Sequence, residues 1–380
     1  MSKRILYILK HDPWAIGGGA YASRMYLTAF RAILQDAEMD VLICDNCMMH
    51  QPAEWKNECN FIPIPPRSKL SLYMFPFTGI MHRHQEVAKK MLGGKKYDYC
   101  IFDHNHIAGS LVDYVPKDTK TIVIHHNVEQ NYCRDNSITF VSKHIVLPYV
   151  IKWEKKAYLN CDYNIFLTKE DMHEFRELYG ESKGKNSVIG IFDVFPTASL
   201  HNKTSVSSPT IVISGSLDNY QNLDGIRYFI NDLYPHIPDF VKIIISGKNP
   251  NEEILSLVSG KKNIKLIPNP DDMNKVIQMG NIYVCTTRLG SGIKVRVSDG
   301  LRNGLPVIAH EVSARGYSDY IDRGVFFSFS NPEDFAYAIN RVIQKYEDGK
   351  WDNNKIMEMY HLFSSLESGI SRIKKMIQDY

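Results

Sequence analysis

Gly290-Ser291-Gly292-Ile293-Lys294-Val295-Arg296-Val297-Ser298-Asp299-Gly300-Leu301 is the stretch on which the fold reading turns. Its glycines expose backbone N–H groups, and the run that follows reads as the start of a helix whose first turns hold two cations. Lys294 and Arg296 supply the positive charge a diphosphate needs, at a helix N-terminus that already favours anions. Asp299 falls three residues after Arg296, on nearly the same helical face, where a carboxylate could accept hydrogen bonds from ribose hydroxyls. This stretch follows one strand-like run, Ile282–Thr286, and precedes another, Pro306–Ala309. A glycine-rich loop between a strand and a helix is how α/β sheets present ligand sites.

Working outward, short apolar runs alternate with longer amphipathic ones over the whole chain, the pattern of helices layered on parallel sheets. Upstream strand candidates are Ile5–Leu9, Met39–Cys44, Tyr99–Phe102, Thr121–Ile124, Tyr163–Leu167 and Ser187–Ile191. Further on come Thr210–Ser214, Val241–Ser246, Ile264–Ile267 and Val325–Ser328. Between the two sets, residues 197–209 are rich in Ser and Thr and poor in apolar side chains, the composition of a linker. The reading is therefore α/β: a first doubly wound domain over 1–196, a linker over 197–209 and a second domain over 210–354. A closing helical segment, 355–380, is expected to return to the first domain. Ligands would bind in a cleft between the two domains, outside the carboxyl ends of the strands.

Three other segments carry candidate chemistry. Gly17, Gly18 and Gly19 follow the first strand and open the helix Ala20–Leu34, again an anion-friendly geometry. The run is neither GxGxxG nor a Walker A, which disfavours a dinucleotide enzyme or an ATPase. Asp103-His104-Asn105-His106 and His125-His126-Asn127-Val128-Glu129 each end a strand candidate. Their polar side chains suit a hydroxyl-rich substrate, and no H-E-x-x-H pattern argues for zinc. The second domain begins with Gly215-Ser216 and Asn222 in a strand–loop–helix unit. Gly247-Lys248-Asn249-Pro250 and Asn269 end its next two strands.

At this point the chain resembles glycosyltransferase family four, whose GT-B fold is two facing Rossmann-like domains. The resemblance rests on Gly215 to Asp224, Gly247 to Pro250, Gly290 to Gly300 and Arg302-Asn303-Gly304-Leu305-Pro306-Val307-Ile308. In the first half, Gly17–Gly19, His126 to Glu129 and the run Glu154…Tyr158…Asp162 also fit. It implies retaining, metal-independent transfer of a sugar from a nucleotide-sugar, with no cofactor beyond that co-substrate. It implies His126, Lys294 and Arg296 as catalytic residues. Donor binding would fall to Gly17, Gly18, Gly19, Gly215, Ser216, Asn222, Gly247, Asn269, Ser291, Gly292 and Asp299, and acceptor binding to His104, His106 and Asn127. Two positions depart from the family: Asp299 stands where it has the ribose-binding Glu, and Ser291 where it has the Glu that meets the donor sugar. A catalytically weakened partner subunit that binds nucleotide or glycan is thus the alternative. Nucleotide-sugar 2-epimerisation is less suited, because no acid and base carboxylates can be placed.

Composition bounds the partners. The 380 residues carry 45 Lys plus Arg against 42 Asp plus Glu, a net charge of +3. A dedicated nucleic-acid binder would show a stronger basic bias. Local charge is more telling: between Phe61 and Tyr97 there are seven Lys or Arg and one acid, Glu86, interleaved with apolar residues. That mixture suits an anionic membrane surface bearing a lipid-linked acceptor. Seven irregularly spaced cysteines read as free thiols of a cytoplasmic protein, possible as a peripheral one on the inner membrane face.

Overall fold

A computed structural model describes residues 2–15, 17–44, 47, 51–65, 69–70, 73–74, 82–136, 140, 142–194, 209–290 and 292–378. The chain forms two compact units, Met1–Val194 with Leu366–Tyr380, and Phe195–Ser365. The expected linker lies outside the described residues apart from Pro209, as do residues 66–68, 71–72 and 75–81 of the basic segment.

Among its described residues the first unit holds seven strands: β1 (Arg4–Ile8), β2 (Glu38–Cys44), β3 (Asn60–Ile64), β4 (Tyr99–Phe102), β5 (Lys120–His125), β6 (Tyr163–Phe166) and β7 (Lys185–Val188). They form one parallel sheet in the order β3-β2-β1-β4-β5-β6-β7. The central strands are buried along their length, as parallel strands must be when helices cover both faces. The helix Gly18–Ile33 turns Met25, Tyr26, Leu27 and Phe30 into that core. Leu366–Gln378 packs against the same helix, burying Ile373 and Met376. Gly369 permits the approach, since a Cβ there would lie 2.4 Å from the Phe192 ring.

The second unit repeats the theme with β8 (Thr210–Ser214), β9 (Lys242–Gly247), β10 (Ile264–Pro268), β11 (Ile282–Cys285), β12 (Val307–His310) and β13 (Phe326–Phe329). Its parallel order is β10-β9-β8-β11-β12-β13. Both sheets reverse direction beside their first strand, at β1/β4 and at β8/β11. Such switch points leave a crevice at the carboxyl ends of the two strands.

Several expectations shift. The segment 355–380 does not move as one piece. Asn353–Ser364 stays in the second unit against Val297–Arg302, tied by Asn353 Nδ2 donating to Gly304 O (2.6 Å) and by the Ser364–Tyr320 hydroxyl contact (2.7 Å). Ser365 is extended and breaks the helix, so only Leu366–Gln378 joins the first unit. The seventh strand lies at Lys185–Val188 rather than 187–191, and β3 was not anticipated. The helix after Gly292 begins only at Val297, with Arg296 as its N-cap, so Lys294 and Arg296 sit in the turn before it.

Candidate functional sites at the two switch points

In the second unit, β8 ends at Ser214 and the chain turns through Gly215 at φ 152°. A Cβ on Gly215 would sit 2.4 Å from Arg296 Nη1 and 3.0 Å from Asn222 Nδ2. Glycine is therefore what lets the guanidinium lie on the backbone, with Nη1 3.5 Å from Ser214 O. A small cavity opens here, lined among others by Ser214, Gly215, Asn222, Thr286, Thr287 and Arg296. Asn222 Nδ2 donates to Ser216 O (2.7 Å), while its buried Oδ1 has no partner among the described residues and can accept a hydrogen bond. A cation, a tight glycine turn and an unsatisfied acceptor together suit a phosphorylated, hydroxyl-bearing ligand.

The other predicted donor residues fall around this cavity with different duties. Gly247 ends β9, and a Cβ there would meet Gly215 O at 1.6 Å. Asn269, itself at φ 47°, accepts from Asn249 N (2.9 Å) and donates its own N–H to Gly247 O (2.8 Å), so it braces the Gly247–Asn249 turn. Ser216 Oγ donates to Asp218. Gly292 takes a left-handed φ of 71°. Lys294 is buried, and its carbonyl accepts from Tyr317 OH (3.0 Å). Asp299 accepts from Arg302 Nη2 (2.8 Å), an ion pair that a ribose would have to share or displace. Ser291 lies outside the described residues.

In the first unit, Gly17 has φ 143° and the helix starts at Gly18. Gly19 lies under His11, whose ring a Cβ would meet at 3.3 Å. The carboxyl ends of β1, β4 and β5 then bring together a buried polar cluster. Asp103, immediately after β4, accepts from Ser23 Oγ (2.5 Å) and meets His126 Nε2 at 3.2 Å. His104 Nε2 lies 2.8 Å from both Lys10 Nζ and Glu129 Oε1. His106 Nε2 is 3.9 Å from Glu129 Oε2, and Asn127 Nδ2 donates to Glu129 Oε1 at 3.2 Å. Behind them, Asn105 Nδ2, Glu129 N and Tyr179 OH all donate to Glu154. Burial outweighs those donors and pushes the Glu154 carboxyl up to about 8.

Burial, helped by the Lys10 charge, holds His104 well below its ordinary pKa and lowers His106 to about 4. Burial also lowers Lys10, against the pull of Glu129 and Asp103. For Glu129 burial opposes the charge, but His104 and Lys10 prevail and hold its carboxyl well below the usual range. His104, His106 and Glu129 bring possible ligand atoms within 4.8 Å of one another, a donor set of zinc-binding type. Yet the distances around His104 Nε2 are those of hydrogen bonds, and Lys10 already supplies the cation. A metal would need bonds of about 2.0–2.2 Å and the amine gone.

Sequence reasoning placed His104, His106, His126 and Asn127 near one another, and they are. It held Asp103 and Glu129 only as members of those polar runs, with no individual role, and gave none to Lys10, Ser23, Thr286 or Thr287. The available signal was position: each but Ser23 lies at the carboxyl end of a strand or just beyond it. Strand order, which a sequence does not display, is what makes β1 and β4 neighbours.

Residues 208–345 match the family described as glycosyl transferases group 1. The match falls within the second unit. The fold is GT-B. A glycosyltransferase from Rickettsia africae superposes with a TM-score of 0.68 over 100% of both chains at 13% identity. Anabaena HepE, solved in complex with UDP, gives 0.68 over 100% of both chains at 11% identity. Sucrose-phosphate synthase from Thermosynechococcus elongatus gives 0.69 over 99% of this chain and 98% of that one, at 14%. Among curated proteins, an uncharacterized 44.6 kDa protein in the cps region of Klebsiella pneumoniae is 24% identical over 264 residues. That alignment spans 64% of this chain and 65% of the relative.

The buried imidazoles give the GT-B chain an acid limit. Burial lowers His84, His106 and His125 to about 4 each. Unfolding would return them to about 6.5, so the unfolded chain binds more protons between those values and stability falls as pH drops through that window. Each costs roughly 2 kcal/mol at pH 5. The thermal midpoint should drop steeply between pH 7 and pH 5 in a scanning-fluorimetry series. A flat midpoint over that range contradicts the burial of these rings.

Proposed function

We propose that the chain is a retaining, metal-independent glycosyltransferase that moves a sugar from a nucleotide-sugar to a hydroxyl of a glycan or lipid-linked acceptor in surface-polysaccharide synthesis. The observation that carries this is the second-unit cavity, where Arg296 lies against the Gly215 turn and Asn222 offers a buried acceptor. The donor's diphosphate would meet Arg296 beside the Gly215 turn, with Lys294 adding charge. As the glycosidic bond breaks, negative charge gathers on the leaving diphosphate, and preformed cations lower that barrier. Among the described residues of the first-unit cluster, Glu129 and Asp103 are each held by two or more neighbours, which leaves neither carboxylate poised as a nucleophile. Front-face substitution, with a donor phosphate oxygen taking the acceptor's proton, is the mechanism that fits.

The first-unit cluster of His104, His106, His126 and Asn127 supports binding of hydroxyl-rich groups. UDP in the HepE complex and UDP-glucose in a second HepE structure make uridine diphosphate sugars the first donors to try. The seven scattered cysteines suit a reducing, cytoplasmic setting. None of the described helices is long and apolar enough to cross a membrane. The test is a panel of nucleotide-sugars with glycan acceptors, free or in anionic vesicles, following nucleoside diphosphate release and the product anomer. The expected result is acceptor-dependent release, unchanged by EDTA, with the donor's anomeric configuration kept. An inverted anomer or an EDTA-sensitive rate contradicts the mechanism. Binding with no turnover favours the partner-subunit reading that Ser291 raises.

A further inference from the structure

Residues 137–160, which join the helix Glu129–Asn136 to β6, have a lopsided composition. They hold four lysines (143, 152, 155 and 156) and one acid, Glu154. That acid is fully buried and takes hydrogen bonds from Asn105, Glu129 N and Tyr179. Lys143, Lys152 and Lys155 are exposed, while Lys156 pairs with Asp113. Apolar groups stand exposed among them. Phe140 is 75% exposed, and its described ring contact is His144, itself exposed, at 4.3 Å between centroids. Ile145 is 42% exposed and Tyr132 44%. In the helix Leu147–Asn160, Pro148, Ile151, Lys152 and Lys155 fall three or four apart, so one face carries cations and apolar groups together. A helix that leads into a parallel strand runs antiparallel to it. Its first turn therefore lies at the carboxyl ends of the strands, the edge that holds His104 and Glu129.

We propose that residues 140–155 dock the first unit on an anionic lipid surface, with Phe140 and Ile145 entering the headgroup layer and Lys143, Lys152 and Lys155 meeting lipid phosphates. Both halves of the surface are then satisfied at once: the exposed ring and aliphatic chain leave water, and the lysines meet the negative potential of the leaflet. A neutral glycan would cover the rings and leave the lysines without a counter-charge. The contact is separate from the basic segment 61–97 that composition alone singles out. It rests on the proposed transfer reading only in what it delivers, an acceptor held in that membrane being brought beside the polar cluster at the strand ends.

Co-sedimentation of the full chain with vesicles reads the contact without any turnover. The wild type should bind vesicles rich in phosphatidylglycerol at least about tenfold better than pure phosphatidylcholine ones, and lose that preference in high salt. Lys143→Glu combined with Lys155→Glu should cut anionic-vesicle binding roughly 30-fold or more, and Phe140→Ser about fivefold, with the melting temperature and transfer to a soluble acceptor unchanged. Lys262→Glu combined with Lys265→Glu makes the same charge change at two exposed lysines of the second unit and should leave binding within about twofold. Equal losses from the two pairs would mean that net charge alone governs binding and would overturn the proposal, as would vesicle binding that survives both first-unit variants. A dimer in solution that Phe140→Ser splits would give this face to a second copy of the chain and overturn it too. Vesicle binding without donor turnover upholds the docking and defeats the transfer reading; transfer to soluble glycans without vesicle binding does the reverse.

Discussion

Arg296→Ala should abolish most sugar transfer, by about 10²–10³-fold in kcat/KM, while the protein melts within a degree or two of the wild type. The first half follows from charge placement: an oriented cation at a developing diphosphate charge is worth roughly 3–4 kcal/mol of barrier. The second follows from how little else the side chain does. Its Nη1 reaches Ser214 O only at 3.5 Å, and its role as N-cap of Val297–Arg302 uses no side-chain hydrogen bond. Arg296→Lys should fall between, since an ammonium keeps the charge and loses the planar fork. Donor turnover and a thermal melt on the same preparations check both halves. Near-normal turnover would remove Arg296 from the site.

Gly247→Ala is the larger structural lesion. The added methyl carbon would stand 1.6 Å from Gly215 O, 2.8 Å from Gly215 C and 2.9 Å from Leu217 Cγ. Two of those three are backbone atoms, which cannot rotate aside. Gly215 N also donates to Ser246 O (3.1 Å), so pushing the turn away breaks a bond between the ends of β8 and β9. Asn269, bonded to Gly247 O, is dragged with it. A cost of about 3 kcal/mol or more is expected, lowering the melting temperature of the second unit by roughly 6–12 °C. Nucleotide binding should weaken in the surviving folded fraction, because the displaced turn is the one on which Arg296 rests. A melt within 2 °C of wild type would show that the two strand ends have room the structure does not give them.

Much of the architecture was readable from local pattern. The buried runs of β1, β5, β8, β9 and β11 are nearly pure Ile, Val, Leu and Tyr, and a parallel strand covered on both faces has to look that way. β3 escaped because Pro63 interrupts a half-buried run. An edge strand tolerates a proline that a central strand would not, and β3 is the edge. The glycine stretch was located correctly and its helix started too early. Gly290 and Gly292, both left-handed, hold the chain in a turn through Arg296 and so deliver the guanidinium to Gly215. In the first unit the histidines, Asp103 and Glu129 stood together in strand-end runs, but Lys10 and Ser23 gave no such signal. Lys10, Asp103 and Glu129 are drawn from three strands or the loops after them, and only the order β1-β4-β5 makes them one cluster.

The central claim is that a nucleoside diphosphate binds the second unit at the ends of β8 and β11. Hydrogen–deuterium exchange of the full chain, with and without saturating UDP, reads this directly. Peptides covering 213–217, 284–287 and 292–299 should gain protection, and Arg296→Ala should lose that gain. Protection that appears elsewhere while those peptides stay unchanged would contradict the account.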